Sequence, residues 1–143
     1  MRRIVSLLCS IALVLCFAVV AYADPIPETP IGDEIGEEYQ YTSDLSSILS
    51  INNRVASCKS KVYGFSGIAT KVEITHTLQK QVYGYWSDVE TWSGTYYTWY
   101  GILTSSRSNL GAGMFRLKTV AKVYSGSNYE TITVYSIEKS SVN

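Results

Sequence analysis

The chain has 143 residues, 46% of them hydrophobic, with 12 cationic and 12 anionic side chains in balance. That apolar share excludes a disordered chain, and the absence of net charge excludes the strongly basic composition of a nucleic-acid binder.

The first element in chain order opens "MRRIVSLLCSIALVLCFAVVAYADPIPETP". Arg2 and Arg3 form a positive head, residues 4–20 an apolar run, and Ala21 and Ala23 the small positions a signal peptidase needs. This predicts a secretory signal peptide over 1–23, cut between Ala23 and Asp24. The protein is then secreted, touching a membrane only through that segment during export. A retained membrane anchor is the alternative, because the run is nearly long enough to span a bilayer. Lipidation at Cys16 is a third option, disfavoured by the bulky Leu15 before it.

Cys9 and Cys16 leave with the signal, so the mature chain keeps one thiol, Cys58, and has no intramolecular disulfide. Residues 24–44 read as an acidic leader. Asp24, Glu28, Asp33, Glu34, Glu37, Glu38 and Asp44 face no base there, and Pro25, Pro27 and Pro30 favour extended backbone. A solvated spacer is the expectation; the alternative is a segment that folds back on the body. Residues 45–143 are expected to form one domain, with ten bases against five acids.

Within that domain the apolar period is two, and the residues are rich in Val, Ile, Thr and Tyr. Strands are predicted at 45–51, 54–64, 68–80, 85–92, 96–106, 114–124 and 129–138. The third is the clearest, with Val72, Ile74 and Leu78 alternating with Lys71, Glu73, Thr75, Thr77 and Gln79. About seven short strands separated by turn residues predict an all-β fold, an antiparallel immunoglobulin-like β-sandwich. Cys58 lies on the inward face of the second strand, where antibody domains place half of their bridge. Phe115 stands where many such domains carry a tyrosine.

The segments "TKVEITHTLQK", "WSDVETWS", "GMFRLKTVAKVYSG" and "ETITVYS" together resemble a group of small secreted proteins from Gram-positive bacteria, classed as a domain of unknown function. The resemblance covers residues 45–136. It implies secretion and a β-rich domain, and carries no activity and no functional residue with it.

Reactive chemistry is sparse. His76, the lone histidine, falls on the apolar face of the third strand and reads as a core or edge residue rather than a base. One His and one Cys cannot close a zinc site, and no acidic loop suggests calcium. No Gly-x-Ser-x-Gly elbow is present, and Gly111–Gly113 is a turn rather than a phosphate loop. No catalytic residue, metal site or cofactor is therefore expected. Asp88 and Glu90, read as sharing one strand face, leave a glycan hydrolase as the third reading.

The aromatic stretch "YGYWSDVETWSGTYYTWYG" carries the remaining signal. Both faces of the strand at 96–106 bear rings, and a sandwich buries only one face. Trp86, Val89 and Trp92 recur at steps of three, which requires a bulge or an irregular edge. One tryptophan should anchor the core. The candidate contact surface is Tyr85, Trp86, Trp92, Tyr96, Tyr97, Trp99 and Tyr100, aided by a basic stripe of Lys59, Lys61, Lys118 and Lys122 against anionic wall polymers. The competing reading is that these rings only stabilise the sheet. The sequence thus reads as a secreted, non-catalytic module for a glycan or protein ligand, with no nucleic-acid partner. A structural, self-associating envelope or matrix protein is the alternative.

Overall fold

A computed structural model describes residues 39–142. The predicted signal peptide, its Ala23–Asp24 cleavage site and the leader through residue 38 lie outside the described residues. Eight strands and no helix occur among them: β1 Thr42–Asn52, β2 Val55–Gly64, β3 Lys71–Val82, β4 Tyr85–Tyr96, β5 Tyr100–Arg107, β6 Gly113–Ser125, β7 Asn128–Tyr135 and β8 Lys139–Ser141. The first strand begins three residues inside the segment read as leader.

Turn chemistry sets the hairpins. β1 and β2 meet at Asn53–Arg54 (φ 48° and 61°), and β3 and β4 at Tyr83–Gly84 (φ 50° and 84°). Two successive positive φ angles make a type I′ turn, whose twist matches that of the paired strands. Asn and Gly suit these positions, whereas Arg54 and Tyr83 adopt them at a cost. For Arg54 the neighbourhood offsets that cost: its Nε donates to the Leu110 carbonyl at 2.8 Å, and its own carbonyl accepts from Leu110 N at 3.0 Å. The Tyr83 side chain is 97% exposed.

The strands form two antiparallel sheets, β1-β2-β5 and β4-β3-β6-β7. This is the immunoglobulin-like order, with the fourth strand added to the sheet of the third, sixth and seventh. The expected antiparallel sandwich is present, with one strand more than expected. That extra strand, β8, pairs with Gly113–Phe115 of β6, beyond the end of β7. The last predicted strand ran unbroken to residue 138, but the chain leaves the ladder after Tyr135. Ser136 splices the gap: its N–H donates to the Leu117 carbonyl and its Oγ accepts from Leu117 N, both at 2.9 Å.

Alternation places the core as the sequence predicts. Ala56, Cys58, Ser60 and Val62 of β2 face Val72, Ile74, His76 and Leu78 of β3, all buried. The interior falls into two apolar clusters. One holds Leu49, Ala56, Cys58, Leu78, Leu110, Phe115 and Leu117, and the other Val62, Ala69, Val72, Ile74, Ala121 and Val123.

A polar belt lies between them. Thr119 Oγ1 donates to Ser47 Oγ (2.8 Å), which donates to the Leu117 carbonyl (3.1 Å). A hydroxyl has one proton to give. Ser60 must therefore donate to Thr119 (2.7 Å) and accept from His76 Nδ1 (2.9 Å). That leaves His76 Nε2 to accept the Ser105 hydroxyl proton at 2.7 Å. The terminal carbonyl thus fixes the direction of every bond and the tautomer of the ring. Burial holds the His76 pKa down at about 4, so the imidazole is neutral near pH 7.

Candidate functional site

One residue decides where the aromatic stretch points. In β4, Glu90 pairs with Leu78 and Asp88 with Gln79, which leaves Val89 as the extra residue of a bulge. Of the two alternatives that the spacing of Trp86, Val89 and Trp92 allows, a bulge or an irregular edge, the strand adopts the bulge. An uninterrupted strand would send Trp86 and Trp92, six residues apart, to one face. With the bulge, Trp86 pairs with outward Gln81, and Trp92 pairs with inward His76.

Trp92 packs on the first core cluster and meets the His76 ring edge-on at 5.5 Å. It is the core anchor. Tyr96 also turns inward, against the second cluster. Its hydroxyl donates to the Ile102 carbonyl at 2.7 Å, and its ring lies over Gly101, where an added Cβ would collide with it. Neither ring belongs to an exposed platform, which corrects that part of the expectation.

The bulge also separates the two carboxylates read as sharing a face. Asp88 faces outward and accepts from Gln79 Nε2 at 2.8 Å, while Glu90 lies on the inner side and pairs with Arg107 at 3.0 Å. They form no acid–base pair across a common cleft. The basic stripe divides similarly. Register puts Lys59 and Lys61 on the outer face of β1-β2-β5, and Lys118 and Lys122 on the outer face of the other sheet.

The remaining rings form two groups. The chain does not run as one strand from residue 96. It leaves one sheet at Tyr96, bends through 97–99 and joins the other sheet at Tyr100. This bend brings Trp99 and Tyr100 beside Tyr63, with centroids 6.1 Å from it and 5.0 Å from each other. Tyr97 stands 86% exposed at the apex. Hydrogen bonds from Gly64 N to the Trp99 carbonyl and from Phe65 N to the Tyr41 carbonyl draw exposed Phe65, Ile68 and Tyr39 to the same pole. There Tyr39, Gln40, Phe65 and Ile68 line a hollow of about 470 Å³.

The second group lies on the outer face of β4-β3-β6-β7. At one end the Arg116 guanidinium packs against two rings, 4.3 Å from the Trp86 centroid and 4.2 Å from that of Tyr135. Arg116 Nε donates to Gln79 Oε1 at 2.8 Å. Tyr85 flanks this end, 79% exposed. Across the middle run hydroxyl pairs, Thr77–Thr91 at 2.9 Å and Thr75–Ser93 at 3.0 Å. At the far end Lys71 Nζ lies 3.7 Å from the Tyr124 ring centroid and pairs with Glu73 at 2.8 Å. Tyr124 donates to Glu73 Oε2 at 2.9 Å and meets Tyr129 at 5.0 Å. These two partners, Lys71 first, hold the Glu73 carboxyl below its usual range. The two ends are eight residues of β6 apart, about 26 Å at strand rise.

The sequence reading missed Arg116, Tyr124, Tyr129 and Tyr135 as site residues. The signal was available in the outward phase of β6 and β7. It is weaker than that of the ring-dense stretch because these residues are spread over two strands.

No protein-family model matches the chain, and no curated protein matches it; neither comparison bears on the resemblance drawn from the sequence. Among solved structures the chain is similar to the CARDB domain of the PF1109 protein from Pyrococcus furiosus, solved in complex with di-metal ions. Identity is 16%, the TM-score is 0.40, and the match covers 74% of this chain and 97% of that one. Among the described residues no group of three or more His, Cys, Asp or Glu is placed to hold a metal ion.

Proposed function

We propose that this protein is an extracellular, non-catalytic binding module whose ligand is a carbohydrate chain lying along the outer face of β4-β3-β6-β7. One observation carries the reading: that face has an aromatic–cation stack at each end and a strip of hydroxyl pairs between them, and none of these groups is used by the core. Rings stack on the apolar faces of sugars, while Ser and Thr hydroxyls exchange hydrogen bonds with sugar hydroxyls. Strand-borne side chains clamped by neighbours are already ordered, so little conformational entropy is lost on binding. The secretory signal expected from the N-terminal sequence supports a ligand outside the cytoplasm.

Calorimetric titration with soluble wall and host glycans tests this. A saturable heat is expected with at least one of them. Tyr135→Ala should weaken that binding by about tenfold through loss of one stacking ring, and Trp86→Ala by at least as much. Saturable binding that survives both substitutions together would remove this face as the site.

A second reading rests on the other aromatic group. The exposed rings at the Tyr97–Trp99 pole favour self-association, the behaviour of a structural envelope or matrix protein.

A further inference from the structure

We infer that Arg116 is the oxyanion-recognition residue of this face, and that the ligand carries carboxylate or phosphate groups. The inference rests on the carbohydrate reading above and adds the ligand's charge to it.

A guanidinium has five N–H donors in one plane. For Arg116 the structure records one side-chain hydrogen bond, from Nε to Gln79 Oε1 at 2.8 Å. That acceptor is itself fixed, because Gln79 Nε2 donates to Asp88 Oδ1 at 2.8 Å. The Trp86 and Tyr135 rings both pack within stacking distance of the guanidinium carbon. The Nη groups, four donors in a rigid fork, carry no carboxylate of the described chain. The ion pairs among the described residues are Lys71–Glu73 and Arg107–Glu90.

Such a fork matches the two oxygens of a carboxylate or phosphate in a bidentate bond. The clamps have already removed the rotamer freedom that an exposed arginine would lose on binding. A purely structural role accounts for the stacked rings and the Nε bond, but leaves the Nη groups without a carboxylate among the described residues.

The charges alongside agree. Lys118 and Lys122 project from the same face of β6, about 7 and 20 Å along the strand from Arg116. Neither has a carboxylate partner among the described residues. Lys122 Nζ lies 5.2 Å from the Tyr129 ring centroid. The two acids on this face are both engaged, Asp88 by Gln79 and Glu73 by Lys71 and Tyr124. The face thus offers a fork and two ammonium groups in a row, suited to a polymer with repeating negative charge.

The test compares polygalacturonate with its fully methyl-esterified form, the same polymer with and without charge, and with inorganic polyphosphate, a charged chain without sugar. The full chain should bind polygalacturonate about tenfold or more tightly than the ester at low salt, with the preference shrinking as salt rises. Arg116→Lys keeps the charge and loses the planar fork. It should cost about tenfold on polygalacturonate and leave binding to the ester unchanged. Lys118→Gln leaves the Gln79 clamp untouched, so it controls for folding, and it should lower affinity for the charged polymer alone.

Equal affinity for acid and ester, or full affinity in Arg116→Lys, overturns the oxyanion assignment while leaving the carbohydrate reading in place. Binding of polyphosphate alone, lost in Arg116→Lys, supports the oxyanion head and overturns the carbohydrate reading. No binding to any of the three overturns both.

Discussion

His76 shows how one buried ring couples the fold to pH. In the unfolded chain its pKa is near 6.5, and burial lowers it to about 4 in the folded protein. Between those values the unfolded state binds more protons, so stability falls as pH drops from 6.5 toward 4. The full difference is on the order of 3 kcal/mol. Thermal unfolding from pH 7 to pH 4 should show the midpoint falling through this window, and His76→Gln should flatten the slope. A slope that persists unchanged in His76→Gln would assign it to other groups. Glu73, whose carboxyl is depressed, contributes stability that is present above its ordinary value of 4.5 and is lost only as pH falls below it, beneath most of the His76 window. The burial of His76 was legible from its even position between Ile74 and Leu78. Its hydrogen bonds were not, because Ser60 and Thr119 lie 16 and 59 residues apart from their partners in the chain.

At the scale of elements, strand phase was readable and interruptions were not. Each long strand was located from its alternation to within a few residues, and the spacing of Trp86 and Trp92 signalled a bulge or an irregular edge. The consequence of the bulge went unread: one extra residue reverses the facing of everything beyond it, so Asp88 and Glu90 part company. The break between β7 and β8 was equally hidden, since Ser136 continues the period of its strand. Its hydroxyl replaces a missing ladder carbonyl. Ser136→Ala leaves the buried Leu117 N–H without its acceptor and should cost about 1–3 kcal/mol. Ser136→Thr, which keeps the hydroxyl, should recover most of the unfolding midpoint. An unchanged midpoint in Ser136→Ala would show that the splice is dispensable.

Over the whole molecule, two-residue alternation was enough to require two stacked sheets and a surplus of rings outside them. It could not say how the surplus divides, because that depends on which strands sit at the edges and where the chain changes sheets. The pole formed by Tyr97, Trp99, Tyr100, Phe65, Ile68 and Tyr39 is the larger apolar exposure, and the sedimentation coefficient reads its role. If it mediates self-association, the coefficient should rise with concentration, and Tyr97→Ser with Trp99→Ser should return it to the monomer value. A concentration-independent coefficient in the parent chain would end the self-association reading. Cys58 supplies a different handle. Its thiol is 2% exposed and burial pushes its pKa up to about 11, so reagents meet neither an accessible sulfur nor an appreciable thiolate while the sheets stay closed. Alkylation at this position therefore waits on the parting of the sandwich, and its rate serves as a built-in clock for native-state opening without any added label.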